Sequence, residues 1–417
     1  MPDARGGRAA RAMRPGNAVL HVPRSFSHSP AEVPVDPGLI MHTLSNRRGV
    51  IQSADRSFAD LSGHDPASIV GAHHRVVRHP DMPRAVFART WQLLHDGGLA
   101  AAYVKNLAGD GRFFWVFSVV VPVAGGHVNV RRAPRGPLFA EVAEAYRRLR
   151  AAERQGEGLA AQLARLDGEL ADLGFADFRS FMAQAMQTEV ADLPDTDDAR
   201  DWRGRMTGVR ARLAALQDAR ERLSDSIMTM RLLPTNMRII ASRLEPSGGP
   251  ISAISQRYKA DAAELLGQLA GGGETRPGSV RPVIAQLDEL MIHDAATRLL
   301  RAAASQVTRN ELVGLVTGAE VAALMQAYGD LPPPPGTLSP DELQQRVRKV
   351  RHEAEAVIRL MKGLEQVRIL GEVESSRLRG ADLGLSAVMA QMQEFHTRVR
   401  DGIAPMISLL RQFETAS

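Results

Sequence analysis

From about residue 138 onward, apolar side chains recur in alternating steps of four and three. That period restricts most of the chain to long helices packed along narrow seams. Leu159, Leu163, Leu166, Leu170 and Leu173 form one run. Val209, Leu213, Leu216, Leu223, Ile227 and Met230 form a second, in which Arg220 takes one seam position and weakens the coiled-coil pattern locally. A third run, Leu343, Val347, Val350, Ala354, Val357, Met361 and Leu364, is unbroken, and a fourth includes Leu385, Met389, Met392, Val399, Ile403, Met406 and Leu410. Such seams pair within one chain or between two. The spacing leaves that choice open, and a homodimer through the helices is the expected assembly. Turn or linker sequences interrupt the helices at 191–202, 245–250, 270–282 and 329–342; the last ends with Ser339 as an N-cap and Pro340 at the first helical position.

Before residue 138 the signals change. Two of the three tryptophans, Trp91 and Trp115, lie there, as do the strand-like runs. Residues 38–54 read as two short strands around an Arg-Arg-Gly turn, followed by short helical pieces to Leu94. Residues 100–133 then read as three strands joined by Gly-Asp-Gly and Ala-Gly-Gly hairpin turns. The expected organisation is a disordered arm at 1–37, an α+β domain with an antiparallel sheet at 38–137, a helical hairpin at 138–270 and a helical bundle at 283–417.

Composition removes several functions. No cysteine is present, so disulfides, thiolate-bound metals and thiol nucleophiles are excluded, and a cytoplasmic location is expected. The pI of 9.9 arises because nearly every cation is arginine, with lysine only at 105, 259, 349 and 362, while the net charge is only +5. A nucleic-acid groove is therefore not expected. The longest apolar run, 113–124, is too short to cross a membrane as a helix and is broken by Ser118 and Pro122. There is no Walker-type glycine loop, no His-Glu-x-x-His and no nucleophile elbow, so an enzyme is not expected. His73 and His74 diverge as an adjacent pair with no further ligand cluster, so no metal is expected either.

The stretch Val76–Trp91, VVRHPDMPRAVFARTW, carries the densest chemistry. Pro80 and Pro83 fix the backbone at two points and give Arg78, His79 and Asp81 constrained directions. Phe87 and Trp91, four apart on one helical face, supply an apolar wall or belong to the core. For Arg78 and Asp81, an internal ion pair and ligand contact are both open.

Residues 57–123 resemble the PAS domain of the bacterial aerotaxis-receptor family, aligning without a gap through RHPDMP, Phe87, Trp91, the Val-Lys-Asn at 104–106 and Trp115-Val116. The resemblance implies a fold shaped like a hand closed on FAD, sensing redox or oxygen status and passing the signal to helices. It also implies a cofactor site built from Asp55, Arg78, His79, Asp81, Phe87, Trp91 and Asn106. This chain departs from the family at three places. Ala100 stands where a tryptophan is usual, Asp55 stands where an asparagine is usual, and the final hairpin is short. These departures suit a second expectation, a ligand-free PAS fold serving as a dimerisation or docking scaffold with no cofactor. An open space under Phe87 and Trp91 marks the sensor and a collapsed one the scaffold.

A weaker resemblance covers 235–258, where Asn236, Ile239, Ala241, Arg243 and Gly248 match the hairpin-tip pattern of methyl-accepting chemotaxis proteins. It implies a chemoreceptor-like output over about 209–260 and chemotaxis signalling proteins as partners. The expected whole is a bacterial signal-transduction protein with a PAS sensor and a helical output.

Overall fold

The structure, a computed structural model, describes residues 31–228, 235–236, 238–239, 249–269, 280–307, 312–314, 317–329, 339–377 and 385–414. The chemoreceptor-like tip and most of the arm fall largely outside them. The chain divides into two compact units: the described residues of 1–173 and 299–330 form one, and those of 174–298 and 331–417 the other.

In the first unit, β1 (Ile40–Asn46) and β2 (Ile51–Asp55) form a hairpin, followed by α1 (Arg56–Ser62), α2 (Pro66–Ile69), a 3-10 turn (His74–Val77) and α3 (Arg84–His95). Then β3 (Ala100–Leu107), β4 (Phe113–Val123) and β5 (Gly126–Arg132) make an antiparallel meander. β5 returns to pair with β1. This is the α+β architecture read from the sequence, with its turns where glycines allow them: Gly49, Gly111 and Gly125 have φ of 75°, 88° and 87°. Gly126 is required for a different reason. It faces Asn46 across the β1–β5 ladder, and any Cβ there would drive into the Ser45 carbonyl.

Three features depart from the expected boundaries. Residues 31–37 are not all arm: Val33 donates its N–H to the Phe113 carbonyl at 2.7 Å, and Val33 and Val35 cover the core cluster around Phe58 and Phe114. The helices α4 (Leu138–Arg154) and α5 (Leu159–Asp172) belong to the same compact unit as the sheet. The apolar seam of α4 is satisfied by the sheet, since Phe139 meets Tyr103 and Trp115 with ring centroids 5.5 and 5.2 Å apart. Third, the region after 138 is not wholly helical. Leu312–Gly314 forms a sixth strand, β6, antiparallel to β2, giving the sheet order β3-β4-β5-β1-β2-β6. Edge strand β2 had unpaired backbone groups to offer, and non-local pairing of this kind leaves no periodic mark in the sequence.

The second unit is helical. It contains α6 (Phe178–Glu189), α7 (Asp197–Met228), α8 (Pro250–Leu269), α9 (Val280–Val307) through Arg298, α11 (Pro340–Arg377) and α12 (Leu385–Glu414); α10 (Gly318–Gly329) belongs to the first unit. α7 packs on α12 and α8 on α11, while α7 touches α8 and α11 touches α12, so that each of these four helices packs on two others of the four. Leu213, Leu216, Val357, Met361, Leu364 and Met392, all from the heptad runs, are buried within this chain. Ser339 caps α11 as a reciprocal box: its N–H and hydroxyl donate to the Glu342 carboxylate at 2.8 Å, and its Oγ accepts from the Glu342 N–H at 3.3 Å.

Asp55 ties the first unit together at the start of α1. It is fully buried; one carboxylate oxygen accepts the Phe58 N–H at 2.7 Å as an N-cap, and the other accepts the His42 N–H from β1. Asp55→Ala removes the cap and strands a buried donor, so it should lower the unfolding free energy of this unit by about 2–4 kcal/mol. Asp55→Asn, which keeps an acceptor, should lose less. Urea denaturation followed through Trp91 and Trp115 fluorescence measures both; equal losses would overturn this account of Asp55.

Candidate functional site

Pleating sends alternate residues of each strand to opposite faces. On the inner face, β3 presents Ala100, Ala102, Val104 and Asn106, β4 presents Phe114, Val116, Ser118 and Val120, and β5 presents His127, Asn129 and Arg131, as the paired registers require. Phe114 and Val116 join the core cluster with Phe58 and Ile51. The remaining inner positions, together with the 3-10 turn and α3, enclose a cavity of about 300 Å³. It lies under Phe87 and Trp91 and is open, not collapsed.

Of the seven residues implied as a cofactor site, four line this cavity: Arg78, Phe87, Trp91 and Asn106. Arg78 lies 4.1 Å over the Phe87 ring and donates to the Met82 carbonyl at 3.1 Å. Asn106 pairs with Phe114 across β3–β4 and bridges to Arg78 on its other side. It is only 3% exposed, and its Nδ2 has no hydrogen-bond partner. A buried amide N–H without an acceptor is an expensive group to keep, and one that a bound ligand would satisfy.

The other three do not reach the cavity. Asp55 is committed to the cap just described. His79 turns away, edge-on to Phe113 with centroids 5.9 Å apart, and its Nδ1 accepts the Asp81 N–H at 3.1 Å. Asp81 is taken up by cations outside: Lys105 Nζ lies at 3.1 Å and Arg154, at the end of α4, at 2.9 Å. Burial alone would raise the Asp81 carboxyl, but the Lys105 hydrogen bond and the charges of Lys105, His79 and Arg154 outweigh it and hold the group below its usual range. The Pro80–Pro83 loop is thus a clamp, with Arg78 inward and His79 and Asp81 binding it to β3 and α4. Sequence spacing could not separate the two directions.

The sequence reading missed Arg131, Asn129, His127 and Ser118, and passed over His74. A signal was available: polar His127, Asn129 and Arg131 alternate with Val128 and Val130, which places all three on one strand face. Ser118 Oγ donates to Asn129 Oδ1 at 2.8 Å, which leaves the Asn129 amino group as a donor. His127 stands edge-on to Trp91 at 5.7 Å, and its Nδ1 has no partner. Arg131 donates to Thr43 Oγ1 at 3.0 Å and approaches His74 Nδ1 at 3.4 Å. Burial, then the positive charges of Arg131, His73 and His127, hold His74 well below its ordinary 6.5, so its ring is neutral and accepts at Nδ1. Ala100, fully buried, lines the cavity where a large aromatic would fill it. Among the described residues no cluster of His, Asp and Glu suits a metal ion, and no helix is long and apolar enough to cross a membrane.

Residues 51–132 match a protein family described as the PAS fold. Over 123 residues the chain is 29% identical to the aerotaxis receptor of Escherichia coli (strain K12). That match takes in 28% of this chain and 24% of the receptor, so the chain spans about a quarter of that relative's length. Among solved structures, the chain is similar to the light-state dimer of the fungal blue-light photoreceptor Vivid, at 17% identity and a TM-score of 0.20, covering 27% of this chain and 97% of that one. A mutant of Vivid is similar at 16% identity and a TM-score of 0.20, covering 26% and 90%.

His74 gives the site a pH signature. Its folded pKa lies below the unfolded 6.5, so the unfolded state binds the extra proton and stability is lost as pH falls below about 6.5. His64, His73 and His127 shift in the same direction. The melting temperature should therefore fall from pH 7 to pH 5. His74→Gln, which keeps an acceptor for Arg131, should flatten that slope by at most about 1.4 kcal/mol per pH unit. An unchanged slope in calorimetry would show that His74 does not titrate as described.

Proposed function

We propose that this chain, whose residues 51–132 form a PAS domain of aerotaxis-receptor type, is a signal-transduction protein that senses redox or oxygen status through FAD held in the PAS cavity. The observation that carries this reading is the open cavity lined with hydrogen-bond donors, with the buried Asn106 amide unpartnered at its edge. A collapsed core around Phe87 and Trp91 would have favoured the scaffold reading instead. The residues present fit a flavin ring: Trp91 and Phe87 give an aromatic wall, Asn106 and Asn129 offer N–H groups to an acceptor-bearing edge, and Ala100 leaves room. A cavity of about 300 Å³ suits a single ring system, so the rest of a dinucleotide would lie beyond it. When bound, the flavin would supply a ring whose charge and protonation change with redox state.

The chain's own residues give such a change a route outward. Asn106 sits on β3, and its neighbours on the opposite face of the same ladder, Tyr103 and Trp115, carry the first turns of α4 through Phe139 and Tyr146. A new hydrogen bond at Asn106 would alter the strain on β3 and β4, and α4 would repack on their aromatic face. Two packings separated by a few kcal/mol suffice for a switch. In this reading the helical unit is the output, chemoreceptor-like and dimeric, acting in the cytoplasm on chemotaxis proteins, and the chain is a sensor without enzymatic activity.

Full-length protein purified from bacteria should show a flavin absorbance band at close to one chromophore per chain, released on denaturation. Asn106→Ala should weaken flavin retention at least tenfold, about 1.4 kcal/mol. A folded, colourless protein that stays colourless when offered FAD would sink the flavin reading.

A further inference from the structure

The cavity is charged in a way that a neutral, oxidised flavin ring does not account for. Its lining includes Arg75, Arg78 and Arg131 but neither an aspartate nor a glutamate. Arg75 is exposed, and Arg78 is occupied by the Met82 carbonyl and the Phe87 ring. Arg131 is different. It is 4% exposed, stands 4.4 Å over the Phe58 ring, and its hydrogen-bonding neighbours are a hydroxyl and a neutral imidazole. Asp55 is the acid whose charge favours it, yet both carboxylate oxygens of Asp55 already accept backbone N–H groups. Burial accordingly pushes the Arg131 guanidinium down to about 9, with Asp55 opposing the shift only in part.

A guanidinium taken out of water without a carboxylate in contact is destabilising, and a hydrophobic residue of similar volume would be tolerated at least as well. Its neighbourhood strengthens the point. His74 accepts at Nδ1 and so carries its proton on Nε2, and Asn106 Nδ2 has no acceptor at all. Cation and unpartnered donor line one cavity with no acid to answer them.

We infer that the cavity is an anion-recognition site: its ligand is a planar ring bearing a negatively charged edge, received by Arg131 with Asn106 as a second donor. This rests on the sensor reading but not on FAD. The same chemistry has two sources, the anionic edge of a reduced flavin ring and a free aromatic carboxylate.

The test uses the full chain, with benzoate, its neutral counterpart benzamide, and FAD as probes, titrated by calorimetry. Wild-type protein should bind benzoate at least tenfold more tightly than benzamide. Arg131→Met should remove that preference, and Arg131→Lys, which keeps the charge, should restore most of it. If FAD is bound, Arg131→Met should lower the preference for the reduced form about tenfold, a shift of about 30 mV to more negative potential for a two-electron couple. FAD bound with an unchanged potential in Arg131→Met, together with equal affinity of wild type for benzoate and benzamide, would overturn the anion site while leaving the flavin reading intact. Arg131-dependent benzoate binding without FAD binding would do the reverse. No binding of any probe to wild type overturns both.

Discussion

A pleated strand can send alternate side chains only to opposite faces, and the first unit depends on that constraint throughout. Inward, β3, β4 and β5 present small and polar residues around a cavity; outward, Tyr103, Trp115 and Phe117 present an aromatic surface. A slip of one residue would exchange the two. Register is therefore fixed by more than hydrophobic pattern: the glycine turns set the hairpins, and Gly126 lets the β5–β1 ladder close against the Ser45 carbonyl. With the faces fixed, α4 has one apolar surface to cover and the cavity has one set of donors.

Polar groups around the PAS sheet divide into two kinds. Asp55 is satisfied by backbone donors from β1 and α1, and Asp81 by Lys105 and Arg154, so both serve to hold the unit in shape. Asn106 and Arg131 are buried to a similar extent as Asp55, but Asn106 Nδ2 has no acceptor and the hydrogen-bonding neighbours of Arg131 are uncharged. Folding alone gives no reason to keep them. The contrast separates polar residues that hold the unit in shape from those proposed to meet a ligand more sharply than residue type does, since both kinds occur within a single strand-and-loop layer.

In the second unit the 3.5-residue spacing has an intrachain outlet. Leu213 and Leu216 on α7, and Val357, Met361 and Leu364 on α11, are buried by helices of the same chain. Charged groups reinforce the packing: Arg210 is bound by Asp288 of α9, and Arg203 by Asp195 and Asp294. Removing one partner of such a partly buried pair leaves a charge uncompensated and is destabilising.

The sequence by itself determined the periods. Alternation and glycine turns gave five strands and their hairpins, the spacing of Phe87 and Trp91 gave a helical wall, and heptads gave long helices, because each of these depends on residues within a turn or two of one another. Of the cofactor-site residues that the resemblance to the aerotaxis-receptor PAS domain implies, Arg78 and Asn106 line the cavity. Only the tertiary structure decided that His79 and Asp81 point out of the loop that points Arg78 in, that Asp55 is consumed by a cap, and that Arg131 and His74 meet 57 positions apart. It alone placed Leu312–Gly314 on the edge of β2. The physical reason is the same in each case: these outcomes depend on which buried groups find partners across the chain, and a partner distant in sequence leaves no local period to read.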